Sequence, residues 1–315
     1  MKCRKCGGKA VINMRQHKLA LCKAHYLEWI PEQTERTIHK YHMFTRDERV
    51  LVAVSGGKDS LALWDVLLKL GYQADGLYIG LGIDGGIGYS DASYEKVRKF
   101  VATRPGAYLE VVDVEQLYGA SIPLAADRTQ RGKGRPCSVC GLTKRHIMNR
   151  VARDGGYDVL ATGHNLDDEA AVLFGNTLHW QLGYLARQGP VLPASHEGLA
   201  RKAKPFCRLY ERETAAYALL AGIDYIYDEC PYAVGATSIY HKELLNQLEA
   251  GRPGAKLQFY LNFLQAREQG AFGAVEKKVE LLTCPTCGQP TTVGGQCAFC
   301  RLWERVRERS GAAPA

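Results

Sequence analysis

No run in the 315 residues approaches the roughly 18 apolar side chains that a membrane-spanning helix needs. The opening Met1-Lys2-Cys3-Arg4 also lacks the apolar stretch of a secretory leader. A protein that neither spans a membrane nor is exported is therefore expected, with a cytoplasmic location. Low-complexity tracts are absent, and nothing repeats along the chain except two cysteine-rich segments. Acidic residues are outnumbered, 33 against 41 Lys and Arg, and the net charge of +8 suits a polyanionic partner such as nucleic acid. The G-x-x-x-x-G-K-[ST] spacing of the Walker phosphate loop is missing as well. What is abundant is apolar residues, at 46%. A chain of this length then buries a sizeable core, as one large domain with appendages or as two ordinary domains.

Eight of the eleven cysteines fall into C-x-x-C pairs in a chain too large for a disulfide scaffold, so metal binding is the better reading. Cys3-x2-Cys6 and Cys22-x2-His25 lie near one end, and Cys284-x2-Cys287 and Cys297-x2-Cys300 near the other. Each set supplies the four ligands of a tetrahedral zinc site, and segments this short have no core without a metal. Between them, β-rich stretches at 50–54, 74–81, 107–114, 157–164 and 223–229 alternate with helical or polar ones. This pattern predicts an α/β fold with a mainly parallel sheet, whose ligands bind at the carboxyl ends of the strands. A polar helix is expected over 32–41, with a hinge at 43–49.

Val50 to Val54 run into Ser55-Gly56-Gly57-Lys58-Asp59-Ser60, after which Leu61, Trp64, Leu67 and Leu68 recur at helical spacing. A strand turning through glycines into a helix leaves the first helical N–H groups unpaired at the positive end of the helix dipole, which makes an anion socket. Further along, Gly163 ends a strand, and Asp167, Asp168 and Glu169 open the next helix. Such acids complement the helix dipole, and beside a phosphate socket they are also suited to Mg²⁺. Cys137 and Cys140 cannot complete a zinc site alone, and Cys230 at the end of 223–229 is placed to join them at the sheet's edge. Three thiolates on a 4Fe-4S cluster would leave one iron open to a sulfur species. The rival is an iron-free persulfide relay between Cys137 or Cys140 and Cys230. Cys207 reads as a packed thiol.

The Ser55–Ser60 stretch closely resembles the PP-loop of the N-type ATP pyrophosphatases, which split ATP between its α and β phosphates. Ala161–Ala170, "ATGHNLDDEA", resembles the second signature of the tRNA-modifying members, and Arg135–Gly141, "RPCSVCG", the cysteine pair of the tRNA-thiolating branch. With its terminal knuckles, nearly the whole chain is similar to the TtuA-type tRNA 2-thiouridine synthetases. The resemblance implies a PP-loop catalytic domain over 49–275, a zinc knuckle over 1–30, a linker over 31–48 and a zinc ribbon with tail over 276–315. It implies ATP held by Ala53, Ser55, Gly56, Gly57, Lys58, Asp59, Ser60, Ile79, Lys144, Gly163 and Asp168, with Asp59, Lys144 and Asp168 nearest the reacting phosphate. It further implies Mg²⁺, a 4Fe-4S cluster on Cys137, Cys140 and Cys230, and two Zn²⁺.

The implied partners are tRNA, a ubiquitin-like thiocarboxylated sulfur carrier and a second copy of the chain. Basic residues of the two end segments, among them Arg4, Lys5, Lys9, Arg15, Lys18, Lys23, Arg305 and Arg307, would grip RNA phosphates. TtuA-type enzymes act on ribothymidine of the T loop, whereas relatives act on the wobble uridine or a cytidine. Two other readings remain at this level. One is a lysidine-type or amidating enzyme, which adds an amine after adenylation. The other is a zinc-ribbon RNA-binding adaptor with a decayed ATP site.

Overall fold

The computed structural model describes residues 1–194, 196, 198–233, 235–273 and 281–309. Near the N-terminus β1 (Ile12–Met14) and β2 (Leu19–Leu21) form an antiparallel hairpin, and Cys22 then caps helix α1 (Lys23–Lys40). The polar helix expected over 32–41 thus begins well upstream, inside the cysteine-rich segment. The reason is its buried stripe of Tyr26, Trp29, Ile30, Thr34, Thr37 and Ile38, which follows helical spacing across the supposed boundary. Cys3, Met14 and Leu21 share one core with Val50, Val52 and Leu61, so the N-terminal segment is anchored on the central sheet.

The central fold then runs β3 (Arg49–Val54), α2 (Lys58–Lys69), β4 (Gln73–Gly80), α3 (Tyr89–Ala102), β5 (Leu109–Asp113), α4 (Val114–Tyr118), α5 (Ile122–Asp127) and α6 (Pro136–Asp154). It continues through β6 (Val159–Thr162), α7 (Leu166–Leu178), α8 (Leu182–Arg187), β7 (Val191–Leu192), β8 (Arg201–Ala203), α9 (Glu211–Leu220), α10 (Thr237–Gly251) and α11 (Ala255–Glu268). The six strands are ordered β5-β4-β3-β6-β8-β7, all parallel except β7. The mainly parallel α/β sheet is as expected. β3 alternates its burial: Val50, Val52 and Val54 enter the core beneath α2, and Leu51 enters the opposite core with Val139 and Ile147 of α6.

One expected strand is not there. Residues 223–229 join no sheet, and the place beside β6 is taken by the three-residue β8. Ile223, Tyr225 and Ile226 are buried, which gives the stretch its strand-like composition. Its backbone, however, turns to the phosphate loop: the Ile226 N–H donates to the Gly56 carbonyl at 2.9 Å. Cys230 therefore sits on a loop rather than at a strand's carboxyl end.

At the C-terminal side β9 (Leu282–Thr283) and β10 (Pro290–Thr291) form a two-stranded ribbon, followed by α12 (Ala298–Glu308). Phe299, Leu302, Trp303 and Val306 are buried in the same core as Val139 and Ile147. The His146 ring of α6 stacks on Phe299 with centroids 3.6 Å apart. Among the described residues no helix is long and apolar enough to cross a membrane.

Candidate active site and metal centres

The chain winds outward from β3 through β4 to β5 and returns on the other side to β6, so the strand order reverses between β3 and β6. That crevice is where an open α/β sheet takes a ligand. Ser55–Ser60 and Gly163 meet there. The Ser60 hydroxyl donates to the Gly57 carbonyl at 3.0 Å and accepts from the Ser55 N–H at 3.1 Å, which folds the loop over the start of α2. Gly57 caps that helix without a side chain, leaving its first N–H groups to face the crevice. A Cβ on Gly163 would lie 2.8 Å from the Asp59 carbonyl carbon and 2.9 Å from the Ser60 nitrogen, so only glycine lets β6 approach the loop this closely. Ala53 pairs with Leu77 and Val54 with Tyr78, so Ile79 lies one residue beyond the last pair between β3 and β4 while still pairing with Val112 of β5.

Above the socket lies a lattice of charges that includes residues the sequence did not single out. Lys58 Nζ contacts Asp59 at 3.0 Å and Glu211 at 2.8 Å. Lys242 Nζ contacts Asp168 at 2.7 Å and the other oxygen of Glu211 at 3.1 Å. Asp59 also accepts from the Thr214 hydroxyl and, at 3.2 Å, from Asn165 Nδ2. Burial opposes ionisation of Glu211, but Lys242 and Lys58 outweigh it and hold the carboxyl down to about 2. For Asp59 burial wins, and its carboxyl is raised despite Lys58 and Thr214. Three carboxylates thus share two ammonium groups, an arrangement that can exchange these partners for a metal-bound polyphosphate.

The three acids opening α7 have separate fates. Asp168 forms a capping box with Asn165 and keeps 27% of its side chain exposed to the crevice. Asp167 is buried against Lys256 and accepts from the Glu211 N–H at 2.9 Å. Glu169 is buried against Lys204, at 2.7 and 2.9 Å. Of the trio only Asp168 stays at the open crevice, there paired with Lys242. Lys144 lies beside Cys140, where its charge opposes the burial that pushes the Cys140 thiol up. Among the described residues it makes no ion pair with Asp59 or Asp168, the place that the resemblance implies for it.

Cys137, at the first turn of α6, donates its thiol to the Tyr232 carbonyl at 3.5 Å and so touches the segment that carries Cys230. Cys140 and Cys230 are half-buried, and the electrostatic influence of Cys230 and Cys137 adds to burial in raising Cys140. The three are neighbours, but not with the spacing of ligands around one ion. Among the described residues only the two terminal tetrads bring three or more ligand atoms all within 4.8 Å of one another. A wider group with partly exposed thiols fits a polynuclear cluster better than a single metal. The glycine-rich loop after β4, which the sequence reading passed over, closes on this place. A Cβ on Gly85 would come 2.1 Å from Cγ of Pro231, so the loop rests directly on the Cys230-Pro231 turn. Cys207 is fully buried and its thiol is pushed up to about 12, chiefly by burial; it is the packed thiol expected.

In the N-terminal tetrad His25 Nδ1 lies 3.4 Å from Cys3 Sγ and 3.3 Å from Cys22 Sγ, and Cys6 and Cys22 are 3.9 Å apart. Burial works to raise the Cys3 thiol, but backbone N–H groups of Cys22, Cys6 and Lys5 bring it down to about 5. In the C-terminal tetrad the Cys297 N–H donates to Cys284 Sγ at 3.2 Å. There too burial opposes and backbone donors win, taking the Cys284 thiol to about 6. Amides aimed at thiolates, with four ligands converging, fit a tetrahedral zinc in each. Arg4, Lys5, Lys9, Arg15, Lys18 and Lys23 are all exposed around the first.

A glycine loop at the switch point of a parallel sheet, with a charge lattice above it and a metal-binding tetrad at either end, defines a PP-loop α/β enzyme. Residues 2–27 match the family described as 2-thiouridine synthetase TtuA, N-terminal LIM domain. The tRNA-5-methyluridine(54) 2-sulfurtransferase of Thermus thermophilus is 52% identical over 98% of this chain and 93% of its own. That of Thermotoga maritima is 44% identical over the whole of both. The U34-tRNA thiolase NcsA of Methanococcus maripaludis, solved with its [4Fe-4S] cluster, superimposes with a TM-score of 0.77 at 23% identity, covering 100% of this chain and 98% of that one, and so shares its fold. The chain belongs to the tRNA-5-methyluridine(54) 2-sulfurtransferase family.

Proposed function

We propose that the protein replaces the C2 oxygen of 5-methyluridine at position 54 of tRNA by sulfur, consuming ATP and releasing AMP and pyrophosphate. The observation that carries this reading is the placement of a phosphate socket and its charge lattice next to three accessible cysteines, joined by the short segment from Ile226 to Cys230. The uracil carbonyl is a poor electrophile with a very poor leaving group, so it must be activated first. Its oxygen attacks the α phosphorus, forming an O-adenylated base and expelling pyrophosphate. The amides of Gly57 to Ser60 and Lys58 hold the charge that develops on pyrophosphate. Asp59 and Asp168 would hold Mg²⁺, which would supply charge at the phosphates; Lys242, now paired with Asp168, would then meet phosphate, and Lys144 approaches from the side of Cys140. A sulfide nucleophile then adds to C2 and AMP departs. Cys137, Cys140 and Cys230 would hold a 4Fe-4S cluster, which supplies an iron without a protein ligand for a sulfur species.

The terminal tetrads, Cys3, Cys6, Cys22 and His25 and Cys284, Cys287, Cys297 and Cys300, would each hold Zn²⁺ and present basic residues to RNA. The divisions at 30, 48 and 275, the thiocarboxylated carrier, the homodimer and the cytoplasmic location belong to the same reading. Its test is the ATP reaction itself in anaerobically purified protein. AMP and pyrophosphate should form only when tRNA is present, and Asp59→Ala should abolish both while leaving the zinc content unchanged. A product that incorporates ammonia and needs no sulfide would assign the site to the amidating relatives instead.

A further inference from the structure

We infer that Tyr227 is the stacking platform for the target base. The inference rests on the thiolation reading above and names the contact that would hold the uracil between its two reaction centres. Tyr227 is 69% exposed, whereas Tyr225, two residues earlier on the same segment, is 7% exposed. The two rings lie 4.4 Å apart at 39°, so the exposed ring is backed by a buried one and does not swing freely. The backbone between them is tied to the phosphate loop through the Ile226 N–H and the Gly56 carbonyl. Tyr225 lies within electrostatic reach of Lys58 and Asp59. In the other direction Cys230 follows three residues later, a span of about 10 Å at most for extended chain. A large ring fixed between the phosphate socket and the cysteines, with one face in solvent, has no role in the core.

The chemistry requires an acceptor at that point. The C2 oxygen must reach the α phosphorus and C2 must then reach sulfur, so the pyrimidine has to lie between the socket and the cysteines. A base drawn out of a folded RNA loses its stacking neighbours, and an aromatic side chain replaces them without reading the base edge. Tyr227 offers that face and leaves the C2 edge free for both steps.

The test is a binding measurement on full-length protein with a nonhydrolysable ATP analogue present, using intact tRNA and the same tRNA abasic at position 54. Tyr227→Ala should raise the Kd for intact tRNA by about 5- to 150-fold, the span of one base–aromatic stack. On the abasic tRNA the variant and the wild type should bind alike, and Tyr227→Phe should match the wild type throughout. An equal loss on the abasic tRNA, an unchanged Kd for intact tRNA, or a loss of affinity for the ATP analogue itself would each overturn the assignment. The last would hand the ring to adenine. Thiolation by the wild type, scored in parallel, separates the two levels. An active wild type with an indifferent Tyr227→Ala removes only the platform, whereas an inactive wild type with ATP, tRNA and sulfide removes the reading beneath it.

Discussion

Replacing Asp167 and Asp168 by asparagine, one at a time, separates two adjacent carboxylates that a sequence motif treats as one unit. Asp167 is 5% exposed and its partner Lys256 is 3% exposed. Removing the acid's charge leaves a buried ammonium with Asn246 as its remaining strong acceptor, at 2.6 Å. Breaking a buried pair from one side costs about 3–5 kcal/mol, and asparagine keeps an acceptor for the Glu211 N–H, so about 3 kcal/mol is expected. For a domain of this size that is a fall in Tm of roughly 6–12 °C. Asp168→Asn keeps an oxygen for the capping box and sits at the crevice, so its cost should stay below about 1 kcal/mol, or roughly 4 °C. Its activity should nevertheless fall on the order of 100-fold or more, because the negative charge that would hold the cation at the phosphate is gone. Differential scanning fluorimetry beside tRNA-dependent AMP formation reads both effects. Equal melting of the two variants, or a fully active Asp168→Asn, would refute this division of labour.

Serine at Cys137, Cys140 or Cys230 should strip iron from protein reconstituted anaerobically to about four irons per chain, while Cys207→Ser retains it; robust thiolation by rigorously iron-free enzyme would favour the persulfide relay. Cys297→Ser should loosen the contact between α6 and the C-terminal ribbon, so amide exchange at Ile147 to Asn149 accelerates while that of α2 does not; unchanged exchange would show that the ribbon gives α6 no support. Gly163→Ala should raise the KM for ATP about tenfold or more by pushing β6 off the phosphate loop. Gly85→Ala should instead displace the Cys230-Pro231 turn and lose sulfur transfer with AMP formation retained. The two glycine variants showing one common defect would contradict the separation of the two half-sites.

Local chemistry was legible in the sequence wherever the partners lie within a few residues of each other. The Ser55–Ser60 loop had a strand before it and a helix after it, and each metal tetrad carried its spacing on its face. Cys207, outside every C-x-x-C pair, is the packed thiol the sequence suggested. Long-range partners left no such trace. Lys242 and Glu211 are ordinary charged residues on helices, and only folding brings them to Asp168 and Lys58. Asp167 and Glu169 looked like further ligands because Lys256 and Lys204, which neutralise them, are remote in the chain. The segment 223–229 has the composition of a strand because Ile223, Tyr225 and Ile226 are buried, but burial does not specify where its N–H groups bond, and that of Ile226 turns to the Gly56 carbonyl. The early start of α1 was hidden by the Cys/His tetrad, whose spacing drew a boundary where the apolar stripe of the helix runs straight through.

The account stands most directly on one product. Anaerobically purified protein, reconstituted with iron and supplied with ATP, sulfide and tRNA containing 5-methyluridine at position 54, should convert that nucleoside to its 2-thio form. Mass spectrometry of the digested tRNA reads this as replacement of one oxygen by one sulfur, dependent on ATP and absent with Asp59→Ala. Sulfur appearing at another nucleoside while position 54 stays unmodified, or no thiolation while AMP accumulates, would contradict it.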